Sequence, residues 1–259
     1  MSLVLVEDRD AVRHVIINRP EKRNALSRAV IEELGTALRG AAAQESVRIV
    51  VLRGEGAMFS GGMDTADLAA LAAEPTKGRE YREGVLAIWN LLEDMAKPTI
   101  AQLHGACLGG AAELALACDM RVMAADGVIG LVETRVGLIP DIGGCSRLPA
   151  LVGLGRAKEL IMASKVVDGA EAERIGLVNR VAPAAELDAA TAQLAAELLA
   201  CAPLAVGLAK GVLSTAARPG LAGTLQQEVA AQELCVTSED FREATRALTE
   251  KRAPQFSGR

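Results

Sequence analysis

The chain has 259 residues, of which 51% are hydrophobic, 24% charged and 2% aromatic, with a formal net charge of −5. That length fits one large domain or two small ones, and the scarcity of aromatics leaves Ala, Val, Leu and Ile to build the core. The acidic balance argues against a general nucleic-acid binder, yet allows a small anionic ligand at a local Lys/Arg cluster. No apolar run reaches the roughly 18 residues that a membrane span needs. The five cysteines, at 107, 118, 145, 201 and 235, form no CxxC pair and have no histidine at metal spacing. They read as reduced thiols. The first ten residues, MSLVLVEDRD, carry acids where a targeting peptide carries bases. These features predict a cytoplasmic protein.

In chain order, residues 3–7 and 12–17 predict a hairpin around Asp8-Arg9-Asp10. A polar loop over 18–25 carries Arg19, Lys22 and Arg23. Ser27 is placed to cap a helix to about residue 43, with Val30, Ile31, Leu34 and Leu38 on one face. A buried strand over 47–52 leads into the Gly-rich loop 54–64, then a short helix over 65–72 and a break at 75–78. Val85, Ile88, Trp89, Leu92 and Met95 give the helix over 79–95 an apolar stripe. A strand over 98–103, a Gly turn at 105–110, a helix over 110–117 and strands over 120–124 and 128–131 follow. This alternation predicts an α/β core. Helices are expected at 144–151, 156–163 and 169–175, then a strand over 178–181. Beyond Pro183 the pattern is helical: 185–200, 203–216, 221–236 and 238–252. Its Ala- and Leu-rich faces must pack on the core or on a partner subunit, since a lone helix of that length is marginal in water.

Three acids stand in apolar or Gly-rich surroundings: Glu113, Glu133 and Asp141. Buried carboxylates are costly unless paired or used, and apolar surroundings raise their pKa toward the range of proton transfer. Gly109-Gly110 opens a helix whose first N–H groups are unsatisfied and carry partial positive charge. A second N–H from the loop Phe59-Ser-Gly-Gly-Met-Asp64 would complete an oxyanion hole. Plainer readings stand beside these. The Gly step is also a tight turn, Glu113 an exposed helix residue, Glu133 a partner of Arg135, and Asp141 a helix cap. His14 and His104 read as structural. Ser60 and Ser146 lack a GxSxG elbow, Gly153-Leu-Gly155 lacks the third glycine of a dinucleotide fingerprint, and no phosphate loop is present.

These segments resemble the enoyl-CoA hydratase/isomerase (crotonase) family over nearly the whole chain. The resemblance rests on NRPEKRNAL at 18–26, FSGGMDTADL at 59–68, the run from Lys97 to Ala124, and GLVETRVGLIPDIGGCSRLPALVG at 130–153. AERIGLVNRV at 172–181 and EKRAPQF at 250–256 also fit. It implies an α/β spiral of ββα turns over 1–199 and an α-helical trimerisation segment over 200–259, giving trimers or dimers of trimers. It implies an acyl-CoA thioester substrate, with coenzyme A as part of the substrate, no separate cofactor and no metal. The thioester oxygen would sit between the N–H groups of Met63 and Gly110. Glu113 would orient a water for C3 and Glu133 would deliver a proton to C2. Arg23, Ala25 and Leu26 would lie along the CoA moiety, with Gly61, Gly62, Asp64, Asp67 and Gly109 lining the site. Asp141 departs from a plain hydratase and resembles the second acid of dienoyl-CoA isomerases, so the expectation is hydration, with double-bond migration by Glu133 and Asp141 as the alternative. A non-catalytic acyl-CoA binder is the remaining reading.

Overall fold

A computed structural model describes residues 2–73 and 78–258. The expected break at 75–78 therefore falls almost wholly outside the described residues. Strands β1 (Val4–Arg9) and β2 (Val12–Ile17) pair antiparallel, and α1 (Arg28–Ala43) follows. Ser27 caps α1 by accepting from the Val30 N–H at 3.4 Å, and Val30, Ile31, Leu34 and Leu38 are all buried. Next come β3 (Ile49–Gly54), α2 (Thr65–Ala73) and α3 (Gly78–Asp94), whose Val85, Trp89 and Leu92 fill the core beside α1.

From β3 onward the chain winds repeatedly through two sheets. It runs through β4 (Thr99–Leu103), β5 (Ala106–Leu108) and α4 (Gly110–Ala117), then β6 (Met120–Ala124), β7 (Val128–Gly130) and α5 (Gly144–Val152). After α6 (Leu154–Met162), β8 (Val166–Asp168) and α7 (Gly169–Arg174), β9 (Arg180–Ala182) returns to the first sheet. The first sheet has the order β1-β2-β3-β4-β6-β9, parallel except for the hairpin. The second has the order β5-β7-β8. Its β5 lies inside the expected Gly turn, and β8 was not expected at all. Each has three residues, too few for an alternating pattern to register.

Helix α8 (Leu187–Leu199) covers the outer face of the first sheet, against Ile49, Val51, Ile100 and Val122. Helices α9 (Pro203–Ala217), α10 (Leu221–Thr237) and α11 (Glu239–Glu250) complete the chain's helical part. α10 packs on α5, α3 and α2, and α11 on α2 and on the 3-10 turn Glu133–Val136. Two helices of the tail thus fold back over the residues that carry the acids. Among the described residues no single helix is long and apolar enough to cross a membrane.

Candidate active site

The expected Gly-rich segments meet. Residues 59–60 run beside β5, with the Ser60 N–H donating to Ala106 O at 3.0 Å and the Leu108 N–H to Ser60 O at 3.2 Å. This brings Met63 against the start of α4. A Cβ on Gly110 would stand 3.9 Å from Met63 N, and one on Gly62 would stand 3.8 Å from Gly110 N. The two amides are therefore neighbours. Gly110 opens α4 and so has no helical acceptor for its N–H, and none is given to the Met63 N–H by the bonds that tie its neighbours Gly62 and Asp64 to Leu26. Gly109, with φ +56°, caps α4; a Cβ there would lie 3.2 Å from Glu133 Oε1, so glycine meets both the backbone and the space.

The Phe59–Asp64 loop is anchored from behind by Asn24. This wholly buried amide accepts the Arg19 N–H and donates to Glu55 O and Met58 O, both at 2.8 Å. Ser60 Oγ donates to Asn24 O at 2.8 Å and accepts the Gly62 N–H at 3.1 Å. Arg23 and Asn24 both adopt left-handed backbone, φ +55° and +52°, a conformation these bonds hold in place. Arg23 is exposed at the rim and Ala25 half-buried, while the Leu26 side chain is wholly in the core, leaving only its backbone for a ligand. Asp64 and Asp67 have structural partners. Asp64 pairs with Arg19 at 2.5 Å and caps α2 through the Ala66 N–H; Asp67 accepts the Arg28 N–H at 2.7 Å. Gly61 is exposed and Gly62 buried.

All eight residues of α4 are buried, so Glu113 is an interior acid, 1% exposed, and the exposed-residue reading is overturned. Its Oε1 accepts the N–H groups of Ile142 at 2.7 Å and Gly144 at 2.9 Å. Burial pushes its pKa well up, and like-charge repulsion from Glu133, Asp141 and Glu228 adds to this, while the two amides act in the opposite sense. Glu133 opens the 3-10 turn. Arg135 does not pair with it but donates to Ser164 O at 2.8 Å. Both Glu133 oxygens are shielded from solvent, and burial raises its pKa to about 8 against the pull of its own and the Val132 N–H. Asp141 is not a helix cap: α5 is capped by Gly143, φ +101°, where any Cβ would collide with Arg147 Nη1 at 1.5 Å. Asp141 instead pairs with the buried Arg82 of α3 at 2.6 Å and accepts from Gln232 Nε2 of α10 at 3.0 Å. Burial raises its pKa to about 7 against the pull of Arg82.

The structure thus brings Met63, Gly109, Gly110, Glu113, Glu133 and Asp141 to one place. It adds Asn24, Arg82, Glu228 and Gln232, which local pattern did not mark, and gives Ser60, weighed only as a nucleophile, a structural part. The polar pair Glu228/Gln232 at i, i+4 in an apolar helix was the one signal available. Among the described residues no three His, Cys, Asp or Glu side chains are placed to share a metal ion.

Residues 7–259 match the profile of the enoyl-CoA hydratase/isomerase family. The chain belongs to that family. A crotonyl-CoA hydratase of Syntrophomonas wolfei is 34% identical to it, covering 98% of this chain and 97% of its own. The crystal structure of an enoyl-CoA hydratase from Mycobacterium avium subsp. paratuberculosis superposes with a TM-score of 0.88 at 29% identity, over 98% of both chains. That of an enoyl-CoA hydratase from Bacillus anthracis superposes at 0.80 with 34% identity, over 99% of this chain and all of the other. The fold is the crotonase-like spiral of this hydratase/isomerase family, followed by helices, as the motifs implied.

Proposed function

We propose that this family member adds water across the C2–C3 double bond of a trans-2-enoyl-CoA. The observation that carries the reading is the meeting of two glutamates with solvent-shielded carboxylates beside the amides of Met63 and Gly110. Glu113 has one oxygen fixed by the Ile142 and Gly144 N–H groups, which leaves the other to orient a water toward C3. Glu133, its pKa raised to about 8 by burial, keeps its proton at neutral pH and delivers it to C2. The Met63 and Gly110 N–H groups stabilise the enolate-like oxygen of the thioester, a contribution on the order of 3 kcal/mol per donor. The exposed Arg23 and half-buried Ala25 lie along the CoA moiety; no resident cofactor takes part. The site needs no nucleic acid or membrane.

The test is loss of the enone absorbance of crotonyl-CoA. Glu113→Gln and Glu133→Gln should each abolish it; undiminished turnover in either variant overturns its assigned role. Asp141 is held by Arg82 and Gln232, which favours hydration over double-bond migration. A dienoyl-CoA conversion that survives Glu113→Gln and fails in Asp141→Asn would reverse that order.

We further infer a homotrimer or a dimer of trimers, with residues 200–259 contributing the contacts. Support comes from α9, where Leu204, Leu208 and Val212 form a stripe and are 76%, 63% and 69% exposed. Light scattering should find a trimer or hexamer that Leu208→Glu breaks apart. Five unpaired cysteines are in keeping with a cytoplasmic location.

A further inference from the structure

Glu228 of α10 is 3% exposed, and the mechanism above gives it no part. Its Oε2 accepts the Gly143 N–H at 2.7 Å, and its Oε1 accepts from Ser146 Oγ in a short contact. Glu113 takes the amides on either side, Ile142 and Gly144. Two carboxylates from distant parts of the chain therefore divide three consecutive N–H groups at the start of α5, where helical acceptors are lacking. A carboxylate is a costly group to bury for capping that a neutral side chain performs. Its second oxygen restrains Ser146 in the first turn of α5, so both ends of the 142–146 turn are fixed. Arg147 adds a third restraint by donating to Ile142 O at 3.0 Å.

We propose that Glu228 is a positioning residue for hydration: by holding Gly143 and Ser146 it fixes the turn that sets the orientation of the Glu113 carboxylate. This rests on the hydratase reading. With Oε1 of Glu113 bound to Ile142 and Gly144, its other oxygen is the one aimed at the water. An unheld turn lets the carboxylate rotate, and a displacement near 1 Å at a reacting group costs on the order of 100-fold in rate. The charged surroundings are contributed by several elements. Glu133 from the 3-10 turn, Asp141 with its Arg82 partner from α3, and Cys145 of α5 face the same space as Glu113. Burial raises the Glu228 pKa while the Ser146 and Gly143 donors and Arg147 of α5 pull it down, and any charge on Glu228 disfavours ionisation of Glu113.

The experiment compares Glu228→Ala and Glu228→Gln in the full chain. It measures kcat and KM for crotonyl-CoA hydration from pH 5 to 9, thermal stability, and the titration of the Glu113 carboxyl carbon by 13C NMR, assigned with Glu113→Gln. The expected result for Glu228→Ala is a kcat loss of roughly 10- to 100-fold with KM nearly unchanged. Glu228→Gln should recover part of that, and its Glu113 titration and the acid limb of kcat should both move to lower pH. A Glu228→Ala kcat within twofold of the parent overturns the proposal, as does a loss that appears only in KM or only as a fall in thermal stability. If Glu228→Ala does not fold, the isosteric Gln variant decides. If the parent does not hydrate crotonyl-CoA, the hydratase reading fails; hydrogen exchange at the Gly143 amide then tests the clamp, and a rate unchanged in Glu228→Ala overturns it.

Discussion

Glu133→Gln should leave the enzyme inactive and make it more stable, increasingly so at higher pH. Both carboxylate oxygens of Glu133 are shielded from solvent, and its pKa stands at about 8 in place of 4.5. Between those limits the folded state holds a proton that the unfolded chain releases, so stability is complete below pH 4.5 and falls as pH rises to about 8. At about 1.4 kcal/mol per decade of pH the full penalty approaches 5 kcal/mol, an upper figure because neighbouring acids share it. Glutamine keeps the shape and never ionises. For a chain of this size a kcal/mol is worth about 2 °C or more, so the melting temperatures should separate by on the order of 10 °C at pH 9. At pH 4.5 the same comparison should show only a constant offset. Thermal unfolding of parent and variant across pH 4.5–9, with hydration measured on the same samples, is the assay. A gap that does not widen with pH refutes the account of Glu133 as a buried, proton-holding acid, and so does a variant that retains turnover. The same proton predicts that hydration by the parent declines above about pH 8.

Gly110→Ala should lower kcat by about 100-fold or more while the protein still folds. The new Cβ would stand 2.8 Å from Met63 Cγ and Sδ and spread the two amides, which steady-state kinetics reads. Ser60→Ala removes the bonds to Asn24 O and Gly62 N; a stability loss of about 1–3 kcal/mol in urea unfolding is expected, with a fall in kcat as the Met63 amide loosens. Arg82→Met leaves Asp141 buried beside Glu133 without its cation, which should cost roughly 3–5 kcal/mol. Adding Asp141→Asn should restore most of it in a double-mutant cycle.

Much of the architecture was legible because it is periodic. The apolar faces of α1 and α3, the hairpin and the run of tail helices each repeat a pattern over enough residues to register. Strands β5, set in a Gly-rich turn, and β8, set between two helices, do not, and their pairing depends on partners in other turns of the spiral. The acids were legible through incongruity, as carboxylates in apolar or Gly-rich text. Their protonation was not, because it is set by what lies across the fold. Glu228 meets Gly143 from 85 residues away and Gln232 meets Asp141 from 91. Asp141 shows the difference most sharply. Next to Pro140 and ahead of a helix it has the local marks of a cap, yet Gly143 caps α5 and Asp141 is spent on an ion pair with α3. Glu133 next to Arg135 is the same case, since neighbours in sequence here point to different partners.

The folding of α10 over the acids bears on how the molecule comes into being. Glu113, Glu133 and both amides leave the ribosome long before residues 228 and 232. Until α10 docks, a growing chain holds Gly143 without Glu228, and Asp141 with Arg82 but without Gln232. Polypeptides that stop short of residue 228 thus lack the clamp on the 142–146 turn. The full set of restraints on the acids arrives late, with the near-completion of the polypeptide.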